Sequence, residues 1–215
     1  GERPMCYIAV CLTRKLTDSE IGLYWSLNPD GAGVGWASGG RCHIMKGFRK
    51  LREFQQFYRG FSFQSHVVHF RFATSGRVVG ELTHPFPVMS TAPVSLCWSG
   101  GAPIMVYNGH WAKWEQELFA LPEFRWAIRE SGRLWSDARG IAALAGRLRE
   151  AMPDLGRDEL DDMLEEMGRF VLIYPDGDIR IIGEFLEADG VLQNFPPILP
   201  GNPWRVKRIG KRLEF

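Results

Sequence analysis

Cys6, Cys11, Cys42 and Cys97 are the thiols of this chain, and His43, His66, His69, His84 and His110 its imidazoles. The cysteine spacing fits neither a CxxC zinc pair nor a dense disulfide framework. His43, His66 and His110 have no ligand companions at useful spacing, so no metal is expected. Reduced thiols point to a cytoplasmic setting. A thiol attacks only as its thiolate. By residue type alone Cys6 reads as a small buried hydrophobe opening a strand, like Cys11. Arg71 lies in the alternating run 65–73 (SHVVHFRFA). Val68, Phe70 and Phe72 share one face, while Val67, His69, Arg71 and Ala73 share the other. A guanidinium there can fork onto a carboxylate or face solvent. Asn108-Gly109 closes an apolar segment and suits a tight turn. Asp137 follows Ser136 at the start of a helical pattern, where the helix dipole favours an acid.

These residues need elements to hold them. Residues 6–12 (CYIAVCL) read as a strand. Thr17-Asp18-Ser19-Glu20 fits a capping box before a helix with Ile21, Leu23, Tyr24 and Leu27 on its apolar side. Asn28-Pro29-Asp30-Gly31 is a turn, and strands 32–38 and 41–47 meet at Gly39-Gly40. A helical pattern covers 49–59. After strand 65–73 comes a loop with Pro85, Pro87 and Pro93. Short strands are expected at 94–98 and 103–107 around Ser99-Gly100-Gly101, and helices at 111–119, 136–151 and 158–167, the last an acidic, solvated face. Residues 169–174 and 178–182 form a hairpin through Asp176-Gly177. The order fits a single α+β domain.

Composition narrows the classes. The chain has 215 residues, 45% hydrophobic and 24% charged, with a formal net charge of +1. That is ordinary for a globular domain with a real core. No charge imbalance favours nucleic acid or a membrane surface, and no apolar run approaches the roughly 18–20 residues that span a bilayer. Arg205, Lys207, Arg208, Lys211 and Arg212 make the end of the chain basic, a weak pointer to a partner.

Several short motifs occur in a set order: Met5-Cys6, Asn28-Pro29-Asp30-Gly31-Ala32-Gly33, the run from His69 to Gly76, Thr83-His84-Pro85-Phe86, Tyr107-Asn108-Gly109 and Ser136-Asp137, with DGVLQN at 189–194. This order and spacing resembles the glutaminase domain of class II glutamine amidotransferases, above all the stand-alone type. The likeness covers roughly residues 5–195. It implies an N-terminal-nucleophile hydrolase fold, a four-layer αββα sandwich of two antiparallel sheets between helices. It divides the chain into residues 1–5 as leader, propeptide or cloning remnant, 6–195 as the amidotransferase domain, and 196–215 as a Pro-rich, basic tail. It implies no cofactor.

The resemblance also assigns roles. Cys6 is the nucleophile, with its own α-amine as base. An α-amino group has a pKa of about 7.7–8.0 and is partly neutral near pH 7. Asn108, by its side-chain amide, and Gly109, by its N–H, form the oxyanion hole. Such donors are typically worth about 3–4 kcal/mol each. Arg71 clamps the substrate α-carboxylate, Thr74 and Gly76 contact its main-chain groups, and Asp137 takes its α-amine. His69 and His84 order loops, and Asp30 shapes the loop near the site. The substrate implied is glutamine or a γ-glutamyl amide, with any released ammonia passed to a synthetase partner in trans.

The sequence departs from the pattern in three places. Five residues precede Cys6, and while they are attached the base is an amide. Tyr107 stands where the stand-alone proteins usually carry His. An insertion with Trp111, Trp114 and Trp126 lies between Gly109 and Asp137. A rival reading is therefore an inactive binding or regulatory protein on the same scaffold, with the Trp-rich insertion as its interaction surface. A related acylase or peptidase fits less well, because Arg71 and Asp137 together suit a free amino-acid head group.

Overall fold

The computed structural model describes residues 6–62, 64–130 and 134–194. The leader 1–5 and the tail 196–215 lie outside the described residues. Strand β1 (Tyr7–Cys11) is buried along its whole length, since both its faces are covered. Helix α1 (Asp18–Leu27) starts at the expected capping box: the Thr17 hydroxyl accepts from the Glu20 N–H, and the Glu20 carboxylate accepts from the Thr17 N–H at 2.7 Å. Strands β2 (Ala32–Ser38) and β3 (Arg41–Phe48) form the expected hairpin, and α2 (Leu51–Gly60) and β4 (His66–Phe70) follow. Then come β5 (Phe86–Pro87), β6 (Cys97–Gly100), β7 (Ile104–Gly109), α3 (Trp114–Ala120), α4 (Arg125–Glu130), α5 (Asp137–Ala151) and α6 (Arg157–Glu165). Strands β8 (Gly168–Ile173), β9 (Ile179–Ile182), β10 (Leu186–Ala188) and β11 (Val191–Gln193) end the fold.

The strands form two antiparallel sheets, ordered β10-β11-β1-β4-β2-β3-β6 and β5-β7-β8-β9. Alternation sorts their side chains into layers. Ile8, Val10, Ile44, Val67, Ile104, Val106, Val171 and Ile173 meet between the sheets. On the outer face of the larger sheet, Tyr7, Ala9, Val68 and Phe70 pack on Ile21, Tyr24 and Trp25 of α1 and Phe54 and Tyr58 of α2. On the outer face of the smaller sheet, Met105, Phe170 and Leu172 pack on Ile141 and Ala142 of α5 and Leu160 and Leu164 of α6. The result is two antiparallel sheets flanked by helices. Among the described residues no helix is long and apolar enough to cross a membrane.

Two details differ from the sequence reading, and a third completes it. Strand β4 stops at Phe70, because Arg71 leaves the sheet to pair its backbone with the turn before β2: its N–H donates to the Gly31 carbonyl at 2.8 Å and its carbonyl accepts from the Asp30 N–H at 3.1 Å. The two strands near Ser99-Gly100-Gly101 belong to different sheets, β6 pairing with β3 and β7 with β8. Helix α6 is not a solvated face throughout. Leu160, Asp161 and Leu164 are buried, and Asp161 holds the buried Arg180 guanidinium at 2.7 Å.

Candidate functional site

At one end of the sandwich the inward-facing residues change character. Two residues along the same faces, Ile44 gives way to Lys46, Val67 to His69 and Val106 to Asn108, while Ile8 gives way backwards to Cys6. Register puts these positions side by side: Ile8 pairs with His69, His69 with Gly33, and Gly33 with Lys46. Lys46, His69 and Asn108 are all buried. Gly33 lets the Thr83–Phe86 loop enter this end. A Cβ at Gly33 would stand 2.0 Å from the His84 carbonyl oxygen, and one at Gly35 2.7 Å from the Pro85 ring. His84 then accepts a hydrogen bond at Nδ1 from the Tyr107 N–H at 3.3 Å, and its ring stacks on His69 at 4.0 Å. Burial pushes both imidazoles down, His69 to about 3, so they are neutral at pH 7.

The cleft at this end is lined by Cys6, Arg71, Thr74, Gly109 and Asp137 among others. Five of the seven residues singled out from the sequence therefore meet, although they span 131 positions from 6 to 137. Asn108 is adjacent on β7 and only 4% exposed, and its Nδ2 has no hydrogen-bond partner among the described residues. Gly76 does not line the cleft. Its φ of +70° turns the loop, and a Cβ there would meet the Trp135 carbonyl at 2.6 Å. It lets the 74–76 loop lie against the start of α5.

Cys6 is a free, half-buried thiol. Its Sγ donates to the Phe72 carbonyl and accepts from the Phe72 N–H, both at 3.4 Å. Burial pushes its pKa up to about 11, opposed by the Phe72 contact and Arg71 and reinforced by Asp137 and Asp30. At neutral pH the thiol therefore keeps its proton until a base removes it. Asn194 fixes the residue from the far end of the chain. Its Nδ2 donates to the Cys6 carbonyl, and its Oδ1 accepts from the Ile8 N–H, both at 2.8 Å. Asn194 closes the DGVLQN run, in which the sequence alone gives it no role; a long-range sheet pairing, β1 with β11, puts it there.

Arg71 is buried, and two of its donors hold the loop that follows it. Nη1 donates to the Arg77 carbonyl at 2.8 Å and Nη2 to the Ser75 carbonyl at 3.0 Å. Asp30 closes the same loop by accepting from the Ala73 N–H at 2.8 Å. Asp137 begins α5 behind the Ser136 cap, whose hydroxyl accepts from Arg139 N–H. Its carboxylate accepts from the Ala138 N–H at 2.9 Å and the Trp111 N–H at 3.4 Å. Burial nonetheless raises its pKa, against those bonds, His110 and Arg71. Such a carboxylate is short of positive charge, and an ammonium would supply it.

Tyr107 leans across Gly109. A Cβ at Gly109 would lie 2.4 Å from the Tyr107 hydroxyl, which donates to the Met167 carbonyl at 3.0 Å. Of the three tryptophans of the insertion, Trp114 is buried, Trp111 is half-buried and donates its indole N–H to Glu117 at 2.6 Å, and Trp126 is exposed. Among the described residues no group of three or more His, Cys, Asp or Glu side chains could hold a metal ion. No protein-family model matches the chain, and no curated protein matches its sequence.

Proposed function

We propose that this protein is an amidohydrolase that cleaves the side-chain amide of glutamine or a γ-glutamyl amide through a Cys6 thioester, on an N-terminal-nucleophile hydrolase scaffold. The observation that carries the reading is the convergence of Cys6, Arg71, Thr74, Gly109 and Asp137 on one cleft, with the Asn108 Nδ2, unpartnered among the described residues, beside it. The two sheets between helix layers agree with it. In this reading the free α-amine of Cys6 takes the thiol proton, and the thiolate attacks the amide carbonyl carbon. The oxyanion is met by the Asn108 amide and the Gly109 N–H. Collapse breaks the C–N bond and ammonia leaves with the proton from the amine. Water then attacks the thioester, freeing the carboxylate and the Cys6 thiol. Asp137 holds the substrate α-amine, and Arg71 its α-carboxyl group, through donors not spent on Ser75 and Arg77. Any use of the ammonia in synthesis falls to a partner protein.

The test is ammonia release from glutamine and from γ-glutamyl amides by protein whose first residue, verified by intact mass, is Cys6. Cys6→Ala should abolish it, and Asn108→Ala should lower kcat by about 10²–10³. No release from any of these amides overturns the proposal. If the native protein keeps residues before Cys6, the scaffold binds without turnover, as the rival reading holds.

A further inference from the structure

The cleft at Cys6 is narrow, with about 20 Å³ open to the centre of a water molecule. A second chamber of about 330 Å³ opens beside it, and the two share Thr74 and Ser75. His110, Lys113, Trp114 and Gln116 line the rest of this outer chamber together with Ala112 and Glu115. All six come from the segment between Gly109 and Asp137 that departs from the resemblance. We propose that the outer chamber binds the second residue of a peptide whose N-terminal glutamine occupies the Cys6 cleft. Glutaminyl peptides, rather than free glutamine, are then the preferred substrates. This rests on the amidohydrolase reading above.

Three observations set the direction. The shared wall touches the head-group end of the cleft: the Ser75 carbonyl accepts from Arg71, and the Ser75 hydroxyl accepts from the Asp137 N–H at 3.4 Å. Cys6 and Gly109 do not line the outer chamber, so a substituent on the scissile amide would leave elsewhere. Second, Arg71 has already turned Nη1 and Nη2 onto backbone carbonyls. Three of its five N–H groups remain; a free carboxylate is best met by two of them as a parallel fork, whereas a peptide carbonyl asks for a single donor. Third, the Asp137 carboxylate has two N–H donors and, with about four lone-pair sites, room for an ammonium. A free α-amine with an acylated α-carboxyl is the N-terminus of a peptide. In the outer chamber the exposed Lys113 can meet the carboxylate of a dipeptide, and Glu115 disfavours an acidic second side chain. Chemistry at Cys6 is unchanged: water replaces ammonia on the side chain, and the peptide bond is untouched.

Calorimetric titration of full-length Cys6→Ala protein with glutamine, glutaminylglycine and glutaminylglutamate tests this. Glutaminylglycine should bind at least about tenfold more tightly than glutamine, the gain of one well-placed residue, and more tightly than glutaminylglutamate. Lys113→Ala should cut the glutaminylglycine-to-glutamine ratio about threefold, as befits an exposed charge pair, and Ala112→Trp, which fills the chamber, should erase it. Turnover of the three compounds by protein beginning at Cys6 separates the two proposals. Turnover of glutamine with no dipeptide preference in binding overturns this one alone. No turnover of any compound overturns both.

Discussion

Lys46 offers a measurement that is independent of catalysis. It is 3% exposed, and its amine has no hydrogen-bond partner among the described residues. The amine lies 3.9 Å from the centre of the Phe86 ring. Burial, and after it the like charges of Arg139 and Arg71, hold its pKa well below the ordinary lysine value; Glu81 opposes them weakly. Lys46→Met keeps the length of the side chain and removes the amine. An unpaired buried donor costs about 1–3 kcal/mol, and loss of the ring contact offsets about 0.5–1 kcal/mol of that. The variant should therefore be more stable at pH 7 by up to about 2.5 kcal/mol, or up to roughly 10 °C in melting temperature for a domain of this size. The pH dependence has a definite sign. Folded Lys46 holds its proton less tightly than the unfolded chain does. Between its folded pKa and the unfolded value near about 10.4, the unfolded state therefore binds more protons, and wild-type stability rises with pH by at most about 1.4 kcal/mol per unit. Methionine has no such gain, so the advantage of the variant should shrink from pH 7 towards pH 10. Paired urea melts at several pH values isolate the difference, since other groups titrate alike in both proteins. A variant less stable than wild type at pH 7, or a difference flat with pH, would refute the reasoning.

Asn194→Ala should cost about 2–3 kcal/mol, because it strands the buried Ile8 N–H and the Cys6 carbonyl together; a shift in urea midpoint below about 1 kcal/mol would mean another group replaces it. Gly33→Ala places a methyl 2.0 Å from the His84 carbonyl oxygen, and backbone against backbone cannot give way cheaply. Thermal melts should show a loss of at least about 2 kcal/mol, where a loss within about 0.5 kcal/mol would place the His84 loop elsewhere. Thiol labelling of the native chain at pH 8, with residues before Cys6 attached, should mark Cys97 first, the exposed cysteine. Cys6, pushed up to about 11, and Cys11 and Cys42, each to about 12, should lag far behind. Peptide mapping that finds Cys6 as fast as Cys97 contradicts the burial described for it. Protein beginning at Cys6 should label faster there, because a neighbouring amine can take the proton.

Local rules carried the element reading well. The Thr17 capping box, the Gly39-Gly40 hairpin and the alternation of Val67, Val68, His69 and Phe70 are decided within a few residues, and they stand as expected. What failed was non-local. Arg71 looked like a strand residue because its neighbours alternate. Its backbone instead bonds to a turn 40 positions earlier, at Gly31, and no periodicity reports that. The short strands expected at 94–98 and 103–107 carry no local sign of their partners, and only the fold shows that the chain crosses between sheets there. Asp161 looked solvated because it sits among acids, and only the fold brings Arg180 to it. One signal was present and unused. In β3, β4 and β7 the inward residue changes from aliphatic to polar at the same end, at Lys46, His69 and Asn108. A strand core that turns polar at one end in several strands at once marks a site before any pairing is known.

That end of the sandwich carries several of the molecule's local costs. Among the described residues the Lys46 amine and the Asn108 Nδ2 lack hydrogen-bond partners, and burial raises the pKa of Asp137. The Cys6 thiol sits where its thiolate is disfavoured. Away from it, the Arg180 guanidinium is answered by Asp161 and Asp158, although Asp161 Oδ1 has no hydrogen-bond partner among the described residues. Unpartnered buried polar atoms also occur at Tyr7, Tyr24 and Tyr174; what sets this end apart is that several of its polar groups border one cleft. In the proposed reading the Asn108 amide meets an oxyanion, the Asp137 carboxylate an ammonium, and the α-amine of a mature Cys6 takes the thiol proton, so that an α-amino compound with an electrophilic carbonyl is the complementary ligand. The gathering of a thiol, an unpaired amide donor and an under-neutralised carboxylate at one end of the sandwich is therefore a reason, separate from motif order, to assay amide chemistry there.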